Sequence, residues 1–235
     1  MGRGLFNRGN GRDEAEKPFW ISYADLMTAL MVLFLVVMAV ALLAVTKTVT
    51  EQEAREAQYK ADIDNCMAIA VEAAKRHEGV KVDLRRNVID FGDRARFDFN
   101  SDRLSDEQEG VLRRFVPELL NMADSDTCQR VLKRIVVEGY TDKTGTYLAN
   151  LGLSLRRSQR VLCAMFKPNG PDPLTQAQKE AVRDVFLVGG FAFNSSKDTP
   201  EESRRVEMRI EFLGIDEKRP ASVEGAGGDF GRCPI

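Results

Sequence analysis

The chain has 235 residues, with 34 lysines and arginines against 36 acids and a formal net charge of −2. That balance has no basic surplus, which sets direct nucleic-acid binding aside. One histidine and four cysteines give little material for His-based triads or common zinc sites, so the chain reads as a protein that is not an enzyme and has no metal or cofactor of its own.

Residues 1–18 combine glycine, asparagine and charge with little apolar content and read as a short disordered tail. The stretch FWISYADLMTALMVLFLVVMAVALLAV follows (19–45), uncharged except for Asp25. The 20 residues from Leu26 to Val45 carry no charge. At about 1.5 Å per residue they match a hydrocarbon core of about 30 Å. Lys17 and Trp20 at one end and Lys47 at the other are placed as interfacial anchors. Residues 19–46 therefore read as one transmembrane helix. The apolar run is too long for a signal-peptide core, and no small-residue cleavage site follows it. Arg3, Arg8, Arg12 and Lys17 before the span, against Lys47, Arg55 and Lys60 after it, lean toward a cytoplasmic N-terminus.

Asp25 lies more than a helical turn beyond Trp20. A charged acid at mid-bilayer costs roughly 2.5–3.5 kcal/mol, so acids at such positions face protein or an ion path. Ser22, Asp25, Thr28 and Ala29 share one helix face by their spacing. Small and hydroxylated residues there admit a second helix and can hydrogen-bond a carboxyl group. The plain structural alternative is an interfacial acid that snorkels to water.

From Phe19 to Glu78 there is neither Gly nor Pro, which permits one long helix or two abutting ones. Residues 47–84 read as a helical linker outside the membrane. Its apolar stripe (Ile63, Met67, Ala70, Val71, Ala74) fits packing on the following domain or pairing with a second copy, and Gly79 is placed to end the helix. RNVIDFGDRARFDF reads as a hairpin or two short strands turning at Gly92. Residues 105–122 read as a helix capped by Ser105 and Gln108, with Val111, Leu112, Phe115 and Leu119 inward and Pro117 a kink or early stop. RIVVEGY is a buried strand, and a turn at TDKTG leads to a helix from about Tyr147 to Phe166 with Leu148, Leu151, Leu155, Leu162 and Phe166 toward the core. After KPNGPDP come a helix over 175–184, the strand VFLVGGF, and RRVEMRIEF. In that last strand Val206, Met208, Ile210 and Phe212 alternate with Glu207, Arg209 and Glu211. The fold class is a single N-terminal transmembrane helix followed by an α/β sandwich over 85–213, a mixed sheet covered on one side by helices. Residues 214–235 are glycine-rich and read as a loose tail.

Asp142 in the turn after the buried strand, with Asn150, Ser154 and Arg157 on one face of the next helix, forms a polar constellation. An arginine gripping a carboxylate and an acid holding an amine could bind a zwitterionic ligand. Equally, Asp142 could close an Asx-turn and Arg157 could be one of three solvated arginines with Arg156 and Arg160. Cys66, Cys128, Cys163 and Cys233 all follow the span and form no C-x-x-C pair. Outside the cytoplasm they permit two disulfides in any of three connectivities, with buried free thiols as the other possibility.

VEGYTDKTGTYLANLGLSLRRSQRVLCAMF resembles the OmpA-type peptidoglycan-binding domain, whose pattern runs G-[HY]-T-D-x-x-G and then N-x-x-L-S-x-x-R-[AS]. The later VGGFAFNSSKDTPEESRRVEMRIEF matches that family's ending, with Ser203 where Asn is usual. The resemblance implies a periplasmic OmpA C-terminal-type domain that holds the diaminopimelate of the wall peptide through Asp142 and Arg157, with Asn150 and Leu153 beside them. FWISYADLMTALMVLFLV is similar to the membrane helix of MotB, the flagellar stator subunit, whose Y-A-D-[FL]-M-T-A motif covers Tyr23, Asp25 and Thr28 here. It implies an ion-translocation site of Asp25, Ser22, Thr28 and Tyr23. It also implies a homodimer inside a ring of five MotA/ZorA-like membrane subunits, and a translocated proton or sodium ion. Within that architecture the wording is closest to the stator-like B subunits of Zorya anti-phage defence. The resulting expectation is an inner-membrane, single-pass, peptidoglycan-anchored motor subunit with its N-terminus cytoplasmic and its C-terminal domain periplasmic. The alternatives are a flagellar stator subunit and a passive membrane-to-wall tether, and a TolR-like energiser is disfavoured by the wall-binding motif.

Overall fold

The computed structural model describes residues 13–168, 172–219 and 229–233, with side chains from Trp20 onward. The first element, α1 (Asp13–Lys75), is one unbroken helix of 63 residues, as the absence of Gly and Pro from Phe19 to Glu78 allows. Residues 13–18, expected in a disordered tail, are its opening turns, and residues 1–12 lie outside the described residues. The chain divides into two compact units, Met1–Arg55 and Glu56–Ile235. In the first, α1 is long and apolar enough to cross a membrane.

The second unit is built on a five-stranded mixed sheet. Its strands are β1 (Lys81–Asp83), β2 (Val88–Asp90), β3 (Leu132–Gly139), β4 (Phe186–Gly190) and β5 (Val206–Phe212), in the order β1-β2-β5-β3-β4. Only β3 and β4 run parallel; every other pair is antiparallel. The expected domain start at 85 moves toward the N-terminus, because β1 belongs to the sheet and the compact unit begins at Glu56. Gly92 is not a hairpin turn. The hairpin joins β1 to β2, where Asp83 Oδ1 accepts from the Arg85 and Arg86 N–H groups, and residues 92–95 form a single 3-10 turn instead.

The helices follow their sequence signals closely. α2 (Asp106–Asp124) has the reciprocal Ser105–Gln108 cap, and Pro117 sits inside it without ending it. α4 (Tyr147–Phe166) and α5 (Gln176–Val185) lie where the spacing places them. Two short helices, α3 (Asp126–Val131) and α6 (Pro200–Ser203), were not anticipated because each is too short for a periodic pattern. The main departure is the rotation of α4. Leu148 is 76% exposed and Leu155 46%, so neither faces the core. The buried face is Asn150, Leu153, Ser154, Arg157, Ser158, Val161, Ala164 and Met165.

Glycine in the sheet sets that rotation. Gly139 and Gly190 are register partners on β3 and β4. A Cβ on Gly139 would lie 1.9 Å from the Ser154 carbonyl oxygen, and one on Gly190 would lie 2.8 Å from Ser154 Oγ. The α4 backbone therefore rests directly on the sheet, and only small side chains such as Ser154 and Ser158 fit between.

The last turns of α1 belong to this domain's core. Cys66, Met67, Ala70, Ala73 and Ala74 are buried in it, so the apolar stripe packs within the chain. Three further ties act at the same place. Cys66 is bonded to Cys128 of α3, Asp62 pairs with Arg130 at 3.0 Å, and the Tyr59 hydroxyl donates to the Leu213 carbonyl at 2.6 Å. The second bridge joins Cys163 to Cys233, which settles the connectivity. The expected loose tail is attached wherever it is described. Arg219 donates to the Leu132 carbonyl, and the Phe230 ring lies 4.8 Å from that of Phe166.

The Cys66–Cys128 bridge spans 62 residues. On the chain-entropy model a loop of that size is worth roughly 4 kcal/mol. Replacing both cysteines with alanine should lower the unfolding free energy of the full-length protein by an amount of that order, read as a lower urea midpoint by circular dichroism; an unchanged midpoint would refute it.

Candidate functional site

The acid in the membrane helix and the polar constellation in the domain are separate sites. On α1, Ser22, Asp25 and Thr28 share a face. Tyr23, two residues from Asp25, projects about 160° away around the helix, so it is not brought to the carboxyl group. The Thr28 hydroxyl donates to its own helix backbone, at 2.9 Å from both the Ala24 and Asp25 carbonyl oxygens. Asp25 itself heads a stretch of the helix that carries no charge for the next 20 residues.

In the domain, Asp142, Asn150, Leu153 and Arg157 line one cavity of about 200 Å³ together with Phe99, Asn100, Thr141, Thr144, Gly145 and Ala149. The four residues singled out in the sequence are thus brought together at the open end of β3, where the chain turns into α4. The turn is built by its own side chains. Asp142 Oδ1 accepts from the Thr144 N–H at 2.9 Å, so Asp142 does close an Asx-turn. Gly145 adopts φ +97°, which favours glycine, and Asn150 Nδ2 donates to the carbonyls of Thr144 and Thr146. The helix has no side-chain cap at Thr146, and Asn150 holds the turn from within instead.

Arg157 is fully buried, contrary to the solvated alternative. Its Nε donates to the Ser101 carbonyl at 2.9 Å, Nη1 to Tyr140 at 2.7 Å and Nη2 to Asp98 at 3.1 Å, over the face of the Phe97 ring. Burial lowers its pKa to about 10, partly offset by the nearby Asp142 charge. Its geometry is that of a brace between backbone segments that also forms a cavity wall.

The guanidinium paired with Asp142 is Arg204, which the sequence reading missed. Arg204 Nη1 donates to Asp142 Oδ2 at 3.0 Å while Nη2 reaches Glu201 and Nε the Phe97 carbonyl. Burial pushes the Asp142 carboxyl up, but the Thr144 N–H and Arg204 outweigh it and hold it below the usual range. Arg204 sits in the SRRVE run, which reads only as a strand start, so its pairing comes from β5 lying beside β3. Ser203, which stands where the family has Asn, orders the adjoining loop by accepting from the Lys197 N–H and donating to the Thr199 carbonyl, both at 2.9 Å. The Thr141 hydroxyl also lines the cavity and is buried with no partner. A larger cavity of about 670 Å³, against α4 and residues 230–233, is lined by Cys163 and Cys233 but by none of the residues expected to bind the wall peptide.

The OmpA family model matches residues 96–207, which contain the whole cavity. A second model, described as the membrane MotB of the proton-channel complex MotA/MotB, matches residues 7–53. The Zorya protein ZorB of Escherichia coli O139:H28 (strain E24377A / ETEC) is 43% identical over 215 residues, covering 90% of this chain and 87% of its own. The chain belongs to the ZorB family. Its organisation is that of a MotB-like stator B subunit, a membrane helix followed by an OmpA-like domain. Among solved structures, a MotB periplasmic domain is 14% identical over 55% of this chain and 65% of its own, at a TM-score of 0.39. The cell wall anchor of the type VI secretion system from Pseudomonas aeruginosa is 19% identical over 60% of this chain and 94% of its own, at 0.37.

Two outcomes follow from the geometry. Arg157→Ala removes the donor of the buried Tyr140 carbonyl and empties a core position, and should cost roughly 2–4 kcal/mol of unfolding free energy. Asp142→Asn should cost only about 1 kcal/mol. Because the Asp142 pKa is lowered on folding, its contribution is present above the ordinary aspartate value near pH 4 and is lost as pH falls through the lower folded value. Wild-type stability should therefore fall more steeply below about pH 4 than that of Asp142→Asn, measured by urea titration at each pH; parallel curves would refute the assignment.

Proposed function

We propose that the chain is the wall-anchored B subunit of a MotAB-like, ion-driven rotary motor serving anti-phage defence. Asp25 is the carboxylate that takes up and releases a proton or sodium ion, and Ser22 and Thr28 line its face. Two copies sit inside a ring of five A-type membrane subunits, with the N-terminus cytoplasmic and the domain in the periplasm. Asp142, Asn150, Leu153 and Arg157 enclose the diaminopimelate of the wall peptide.

The observation that carries this reading is the presence, in one chain, of an acid heading an otherwise uncharged span and a small cavity lined by Asp142, Asn150, Leu153 and Arg157. An acid at that depth is costly unless it faces protein or an ion path. Each elementary charge moved through the membrane potential supplies about 2.3 kcal/mol per 100 mV, which is ample to drive a ring through small steps. A fixed B subunit is needed for the ring to turn against something, and the wall supplies it. The paired cysteines fit an oxidising periplasm.

The test is phage plaquing on cells carrying the native operon with Asp25 or Asn at that position. Protection that disappears with Asn at equal protein level is the expected result. Equal protection by both strains would make the protein a passive tether. The wall site is tested separately, by co-sedimentation of the detergent-solubilised full chain with purified peptidoglycan. Asp142→Ala should reduce the pelleted fraction at least fivefold; equal pelleting would sink the wall assignment.

A further inference from the structure

The cavity of about 670 Å³ against α4 shares no residue with the wall-binding cavity, and its volume lies within the roughly 300–1,000 Å³ of small-molecule sites. Its apolar wall comes from Leu162 and Phe166 on α4, Val182 on α5, Phe186 at the start of β4, and Phe230. Phe230 reaches this place because the Cys163–Cys233 bridge ties the chain back to α4, and its ring lies 4.8 Å from that of Phe166. Gln159 is the one uncharged lining side chain with both hydrogen-bond donors and an acceptor of ordinary strength. The charges at the rim are unequal. Four cations line the cavity, Arg160, Lys167, Arg183 and Arg232, against one acid, Glu109. Glu109 is claimed twice, by Lys167 at 2.8 Å and by the buried Arg113 at 3.5 Å. Arg160 pairs with Asp102 at 3.3 Å and Arg183 with Asp184 at 2.9 Å. The Arg232 guanidinium makes no ion pair and no hydrogen bond among the described residues.

We infer that this cavity is a second ligand site, which takes a long-chain fatty acid with its carboxylate on Arg232 and its acyl chain against Phe166, Val182, Phe186 and Phe230. The lining selects this class. A peptide would bring amides against a wall with little to pair them, and each amide buried without a partner costs free energy. A hydrocarbon chain makes no such demand and gains from burying its methylenes. The guanidinium of Arg232 calls for one anion, and a carboxylate matches its fork in bidentate fashion. Arg160, Lys167 and Arg183 keep their present partners, so the ligand breaks no ion pair on entering. Asp142 and Asn150 take no part, so this site stands or falls separately from the wall-binding reading.

The experiment uses the full-length protein in phosphatidylcholine nanodiscs and palmitate carrying a diazirine in its chain. After irradiation the labelled peptides are mapped by mass spectrometry, and melting temperature is recorded for every variant. Probe dissolved in the bilayer labels the apolar stretch of α1 and serves as the internal reference. Adducts are expected on α4 near Phe166 and on the chain around Phe230, and excess unlabelled palmitate should remove them. Hexadecanol, the same chain without the carboxylate, should not compete. Phe230→Ser should lower this labelling roughly five- to tenfold, with melting temperature and α1 labelling unchanged. Arg232→Gln, which removes one exposed charge, should lower it roughly two- to fivefold. Adducts confined to α1, or labelling that Phe230→Ser leaves unchanged, would overturn the site. Equal competition by hexadecanol, or wild-type labelling of Arg232→Gln, would overturn the carboxylate assignment. Displacement by an apolar tetrapeptide but not by palmitate would make the occupant a peptide and overturn the fatty-acid assignment.

Discussion

Gly139 and Gly190 face one another across β3 and β4, and neither has room for a methyl group beneath α4. The helix backbone lies on the sheet at that point, and the rest of the domain adjusts to it. Because α4 sits so low, the positions that meet these two glycines must be small. Over the glycines themselves stand Ser154 and Ser158, and the long Arg157 between them escapes sideways under the loop at 98–101. A polar helix face is thereby buried, yet hardly any of its groups is left unsatisfied. Ser154 Oγ accepts from the Ala192 N–H at 3.0 Å and donates to Leu151, Asn150 feeds the preceding turn, and Arg157 feeds three carbonyls. The cavity exists because these groups hold its walls apart.

The opposite face of the sheet solves a different problem. Glu138 and Glu207 are direct register partners on β3 and β5, a like-charge pair that destabilises a sheet if left alone. Both are buried, 2% and 0% exposed. Arg209 takes Glu138 through two nitrogens at 2.6 and 3.0 Å, with the Tyr140 hydroxyl at 2.7 Å. Arg205, stacked on the Tyr140 ring, and Arg86 take Glu207. Hydrogen bonding to Glu138 raises the Arg209 pKa above its already high value. Breaking any one of these partners strands a buried carboxylate, so the face behaves as a unit.

Much of this was legible in the sequence, and the limits are physical. Helix starts were readable because a cap is local: Ser105 and Gln108 announce α2 three residues apart. The β5 strand was readable because alternation is local, although its charged face gave no sign of being buried, since the arginines that cover Glu207 come from residues 86 and 205. The rotation of α4 was not readable. Its leucines at 148, 151 and 155 make a convincing stripe, and only the glycines on two other strands decide against it. For the site, the spacing of Asn150 and Arg157 found the correct face, while Arg204 and Phe99 arrive through tertiary neighbours that no short window contains. The unbroken run from Phe19 to Glu78 allowed one helix or two, and the structure has one.

The bridge between Cys66 and Cys128 has a mechanical meaning. Tension arriving along the last turns of α1 passes into α3 through a covalent bond before it reaches any strand, and α3 leads directly into β3. The residues enclosed between the two cysteines, which include β1, β2 and α2, are then shielded from the load. About 200 Å of contour length is withheld from extension for as long as the bond is intact. Under such a pull the load is borne by a covalent bond and by β3, and the edge strand β1 stays outside the force path.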